Sequence, residues 1–200
     1  MDYNGDLNEY RNEMTQLLTY PDIDPQQWQA LIDRSPYATW FQTKEAYEFY
    51  AALSSGLIPF AFGIEECRGD EAMRQLGDKD GDRLVGVIVG YITRERNAIK
   101  QYFTRRAIII GGPLIDNDAT AEEVAALLNA VKKLQRSDLQ PKGRTTATRS
   151  TGLSPIYIET RNFHDYSRWK EVFQYSGFAY QPHLNFHVDT SSLEIVERNL

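Results

Sequence analysis

Between residues 7 and 18 the apolar positions Leu7, Tyr10, Met14, Leu17 and Leu18 recur at helical spacing, which predicts an amphipathic helix before Pro21. Asp24 followed by Pro25 is an N-cap with proline at the first helical position. It opens a second helix whose Trp28, Leu31 and Ile32 share one face and which ends at Ser35-Pro36. Ala38 to Thr43 is rich in aromatic and β-branched residues and reads as a strand, after which Thr43 caps a helix carrying Ala46, Tyr47, Phe49, Tyr50 and Leu53, stopped by Gly56. Leu57 to Glu65 and Leu84 to Arg94 are the next strands, joined by a polar excursion over 66–83. Arg106 to Ile115 is nearly continuous in apolar residues except at Gly111-Gly112-Pro113, which suits a central strand covered on both faces. Thr120 and Glu123 form a capping box ahead of the stripe Val124, Leu127, Leu128, Val131 and Leu134. Beyond a polar stretch over 137–155 come a strand at Ile156–Glu159 and a helix capped by Asp165 or Ser167, bearing Trp169, Val172 and Phe173 and ending at Gly177. An alternating strand follows from His183 to Asp189.

The predicted order is helix, helix, strand, helix, three strands, helix, strand, helix, strand. Consecutive strands followed by two helical crossings exclude an all-parallel sheet and predict a mixed, mainly antiparallel one with helices on both faces. Residues 1–24 read as a helical appendage, 25–190 as a single domain and 191–200 as a tail leading toward a second one.

With 200 residues the chain is long enough to bury about 70% of its unfolded surface without a staple. Cys67 is the one cysteine, which rules out an intramolecular disulfide and a cysteine-based zinc site and fits a reducing compartment. The first residues lack the basic and apolar regions of a signal peptide, and no apolar run reaches the length of a membrane span, so a cytoplasmic protein is expected. A net charge of −6 argues against general DNA binding. Six basic residues between Lys132 and Arg149 nevertheless leave a local phosphate-binding role open beside that of a solvated loop. His183 and His187, about 13 Å apart by strand rise, cannot share a first shell with a metal. Nucleophile-elbow, P-loop and dinucleotide fingerprints are absent.

The predicted order resembles that of the GNAT-type acyltransferases, which hold acyl-coenzyme A where two central strands splay. Their pyrophosphate loop, Q/R-x-x-G-x-G/A, is missing here. The equivalent place reads Gly111-Gly112-Pro113-Leu114-Ile115-Asp116-Asn117-Asp118, with a proline that lacks an N–H and acidic residues before the helix, so coenzyme A is disfavoured.

The same segment, with Phe41-Gln42-Thr43 before it and Arg161-Asn162 and Gly177-Phe178 after it, resembles the FemAB family of peptidoglycan-bridge aminoacyltransferases over roughly residues 25 to 190. That resemblance implies a bacterial enzyme of two GNAT-like units. The donor would be aminoacyl-tRNA, and the acceptor the amine of a UDP-linked muramyl-peptide precursor. It places Asp116 as the proton acceptor and Gln42, Arg106, Arg161 and Asn162 around the substrate. Each also has a structural reading. Asp116 suits a helix entry, the arginines suit neighbouring acids, and Gln42 suits a satisfied core amide. Where the family carries Trp and then Lys after the Gln-Thr step, this chain has Ala46, Glu48 and Tyr50. The rival expectation is a catalytically silent interaction domain, self-association included; a third is a divergent acyl-coenzyme A transferase.

Overall fold

The computed structural model describes residues 14–53, 56–67, 82–93, 104–135, 154–182, 191–194 and 197. Five strands lie side by side in the order β1 (Met14–Thr19), β2 (Leu57–Cys67), β3 (Arg83–Thr93), β4 (Arg106–Gly111) and β6 (Tyr157–Asn162). The two-residue β5 (Leu114–Ile115) pairs with β3 beyond the end of β4. All the pairings are antiparallel except β4 with β6, which run parallel from Arg106↔Tyr157 to Gly111↔Asn162. Helices α1 (Pro25–Arg34) and α2 (Lys44–Ala52) cover one face and α3 (Ala121–Lys133) and α4 (Lys170–Tyr175) the other.

The pleat explains this layering, since successive side chains on a strand point to opposite faces. On β3, Leu84, Val87 and Val89 join Trp28 and Leu31 of α1 in one core, while Val85 and Ile88 join Leu127, Leu128 and Val131 of α3 in the other. Val85 is extra in the register, because Ile64 pairs with Gly86 and Glu65 with Leu84; this bulge switches the inward parity between the two ends of β3.

Several expected local signals act as read. The Asp24 carboxylate accepts the Gln26 and Gln27 amides at 2.8 and 2.9 Å, Thr43 caps α2, and Thr120 with Glu123 closes the capping box of α3. After α4, Gly177 takes a φ of 85° and the Phe178 amide bonds back to the Phe173 carbonyl.

Three expectations are corrected. Met14–Thr19 is not the end of a helix but strand β1, paired with β2 from Met14↔Cys67 to Thr19↔Phe62, so these residues belong to the sheet rather than to an appendage. Ala38–Thr43 is not a strand. Trp40–Gln42 forms a 3-10 turn instead, because the Gln42 side chain folds back onto the Thr39 amide and closes it. The excursion expected over 66–83 begins later, since β2 continues through buried Glu66 and Cys67. Residues 7–13, 68–81, 136–153 and the strand expected at 183–189 lie outside the described residues. Among the described residues, no helix is long and apolar enough to cross a membrane.

Candidate functional site

The parallel pair β4–β6 ends at Gly111 and Asn162, and Gly111-Gly112-Pro113 carries the chain from the end of β4 to β5. In open α/β sheets, ligands bind beyond the carboxyl ends of parallel strands. Both glycines have positive φ, 84° and 80°, which side-chain-bearing residues avoid. At Gly112 a Cβ would also stand 2.5 Å from the Asn162 Oδ1 and 2.7 Å from the Tyr166 hydroxyl. Glycine is therefore required here both for its torsion and for the closeness of its neighbours.

Buried side chains fix this crossing. Gln42, fully buried, donates through Nε2 to the Gly111 and Gly112 carbonyls at 3.1 and 3.2 Å, while its Oε1 accepts from the Thr39 amide and hydroxyl. Its own backbone carbonyl accepts from the Trp28 indole at 2.8 Å. Tyr166 donates to the Pro113 carbonyl at 2.7 Å and reaches the Gly111 carbonyl at 3.2 Å. Burial drives the Tyr166 phenol well above its ordinary pKa, with the nearby Tyr37 adding to the rise, so it stays a donor. Asn162 stands at the end of β6 with its Oδ1 accepting from Thr160 at 2.7 Å. Gln42 and Asn162 are thus brought together around Gly112, and Tyr166 joins them.

Asp116 lies just beyond β5, 9% exposed, and is bound up in charge. Arg34, from the last turn of α1, donates to it, Arg83 stands 3.6 Å away, and the Asp118 amide bonds to Oδ1 at 3.2 Å. Burial raises its pKa, but the Arg34 hydrogen bond, the Asp118 amide and the charges of Arg34 and Arg83 outweigh it, leaving the carboxyl below its ordinary value. A carboxylate so held is a weak proton acceptor. Arg106 and Arg161 are together but apart from Asp116: both converge on Glu159, at 3.8 and 2.6 Å, and Arg106 also donates to the Tyr157 hydroxyl at 3.3 Å.

Sequence reading missed Tyr37, Tyr166, Arg34 and Arg168. Tyr37 donates to the Ile115 carbonyl and lies 5.2 Å from the His164 ring. Nothing in a single sequence marks Tyr166 among twelve tyrosines; Arg34 could have been found as the basic residue in the last turn of α1, the place that favours it.

Elsewhere, ligand atoms of Glu65, Cys67 and Asp82 come within 4.8 Å of one another. That brings the Cys67 thiol beside two carboxylates. A concavity lined by Pro21 to Gln27 and Glu65 borders this group and shares no residue with the Gly111–Pro113 crossing.

Apart from the two-residue β5, the order β1-α1-α2-β2-β3-β4-α3-β6-α4, with β4 and β6 parallel, is that of the GNAT type. The fold is GNAT-like. No protein-family model matches the chain, and no curated protein is similar to it. Among solved structures, TTHA1254 from Thermus thermophilus, in a point-mutant form, is 12% identical with a TM-score of 0.46, covering 88% of this chain and 98% of that one. A probable acetyltransferase is 14% identical with a TM-score of 0.41, covering 90% of this chain and 99% of the other.

Proposed function

We propose that the chain is an acyl-transferring domain that delivers an activated acyl group to an amine at the carboxyl ends of β4 and β6. The observation that carries this reading is the Gly111–Pro113 crossing, whose three carbonyls are all claimed by Gln42 and Tyr166. A trans peptide points its N–H away from its C=O, so holding the Gly111 carbonyl inward fixes the direction of the Gly112 amide. A fixed amide dipole beside a reacting carbonyl is the kind of group that stabilises developing negative charge.

The finer reading takes the FemAB resemblance at its word: the donor is an aminoacyl-tRNA ester and the acceptor a UDP-linked muramyl-peptide amine. The amine nitrogen attacks the ester carbonyl, the bond to the tRNA 3′-oxygen breaks, and the proton lost by nitrogen ends on that oxygen. Asp116, already paired twice, supports this reaction by holding the chain after β5 in place, and Asn162 and Gln42 shape the site from beneath. A donor other than coenzyme A is favoured by the start of α3. There the Glu123 amide is taken by Thr120, the Thr120 amide by Glu123, and Asp118 and Glu122 add negative charge where a pyrophosphate would have to sit.

A specific observation favours the silent interaction domain as the second reading. The charged groups carried over from the family are paired internally, Asp116 with Arg34 and Arg83, and both Arg106 and Arg161 with the one Glu159.

Thermal-shift titrations of the whole chain separate these readings. At about 100 times its dissociation constant a ligand adds about 2.7 kcal/mol, raising Tm by several degrees. Stabilisation by the UDP-linked muramyl peptide, with transfer from aminoacyl-tRNA, is the expected result. Stabilisation by acetyl-coenzyme A instead would replace the donor, and no shift with either would leave the silent domain.

A further inference from the structure

Two residues after Tyr166, which bonds to the Gly111–Pro113 crossing, stands an arginine whose setting differs from that of the other arginines. Arg168 lies in the 3-10 turn Ser167–Trp169 that leads into α4. Its guanidinium stacks over the ring of Trp169, 4.6 Å from the centroid, and Trp169 is anchored in the core at 8% exposure. One nitrogen, Nη1, donates to the Asn117 carbonyl at 2.9 Å. One face and one edge of the fork are thereby fixed, and the side chain loses little freedom when the remaining N–H groups bind.

Arg34, Arg83, Arg106 and Arg161 all meet acids. Arg168 meets none among the described residues. Among the acids of the described residues, Asp165 accepts the Ser167 amide at 2.8 Å, Asp116 is held by Arg34 and Arg83, Asp118 stands 3.5 Å from Arg83, and Glu171, three residues on in α4, makes no ion pair with Arg168. The Tyr37 phenol lies in the fields of both Asp116 and Arg168, which act on it with opposite sign, and Tyr37 in turn acts on Tyr166. Geometry links the same groups: Arg168 bonds to Asn117 and Tyr37 to Ile115 on the chain that leaves the crossing, Tyr37 packs on the His164 ring, and Tyr166, two residues before Arg168, bonds to the crossing itself.

We infer that Arg168 recognises a carboxylate on the amine substrate, so that the acceptor is an amino-acid or peptide amine bearing a free carboxylate. The inference rests on the transfer reading above and names the substrate class it would accept. A carboxylate matches the planar fork in bidentate geometry. A phosphate dianion suits the place less, because the Asp116–Asp118 stretch and Asp165 are close by in a chain of net charge −6.

The test uses the whole chain and three probes: N-acetylglycine, its amide N-acetylglycinamide, and inorganic phosphate. Binding is followed through the arginine Nε–H resonances, with that of Arg168 assigned by its loss in Arg168→Lys. N-acetylglycine is expected to shift the Arg168 signal saturably and the amide to leave it in place. Arg168→Lys, which keeps the charge but loses the fork, should weaken binding at least about fivefold, and Arg168→Gln should abolish it with Trp169 still buried. No binding, equal binding of the amide, preference for phosphate, or wild-type affinity in Arg168→Gln would each overturn the inference. Transfer to amines regardless of a carboxylate would remove it while leaving the transfer reading intact; carboxylate binding without transfer would do the reverse.

Discussion

Replacing Gln42 by alanine would strand the buried Gly112 carbonyl, leave that of Gly111 to Tyr166 alone, and open a cavity beneath them. The expected loss is about 3 kcal/mol, measured by urea unfolding, because a buried acceptor left without its donor loses its solvation and receives nothing in return. A loss under about 1 kcal/mol would mean that Gln42 does not hold the crossing. Asp116 makes a sharper case. Its folded pKa lies below the ordinary 3.8, so its contribution to stability is fully present above that value and disappears as pH falls through the folded one. Asp116→Asn should cost about 2 kcal/mol at pH 7, and the gap to the wild type should narrow only below about pH 4. A pH-independent gap would remove the ion pairs as its cause. These two residues show what sequence reading can reach. Motif singles out both, but the partners that decide their roles, 69 and 82 positions distant, come from other elements and carry no local signal.

At the scale of elements, the sequence was most legible where side chains act on their own backbone. The caps Asp24, Thr43 and Thr120 and the Gly177 stop hold their expected places because each is complete within a few residues. Reading failed where a distant partner outweighs local pattern. Leu17 and Leu18 fit a helical stripe, but β2 offers a six-residue antiparallel ladder to Met14–Thr19, and pairing sets the conformation. The run Trp40-Phe41-Gln42 has the composition of a strand, and one amide side chain closing onto Thr39 turns it into a 3-10 bend. That bend places Gln42 under Gly111. The element most clearly misread by composition is therefore the one that builds the candidate site.

Over the whole molecule, one sheet is shared by two cores. Trp28 and Leu31 pack on one face and Trp169, Leu127 and Leu128 on the other, yet β2 and β3 contribute side chains to both. Because neither layer can lose its strands without exposing the other, the two should unfold together. The tryptophans allow this to be measured face by face, since Trp28 and Trp169 are buried in opposite cores while Trp40 is 47% exposed. In a Trp40→Phe background, Trp169→Phe leaves Trp28 to report on one core and Trp28→Phe leaves Trp169 to report on the other. Adding Leu127→Ala, on the α3 side, should lower stability by about 3 kcal/mol and move the urea midpoint seen by either tryptophan to the same extent. If the Trp28 signal kept its midpoint while the Trp169 signal fell, the sheet would not couple its faces. The candidate site, built from Gln42 on the α1–α2 side and Tyr166 on the α3–α4 side, would then sit between two independent units rather than within one.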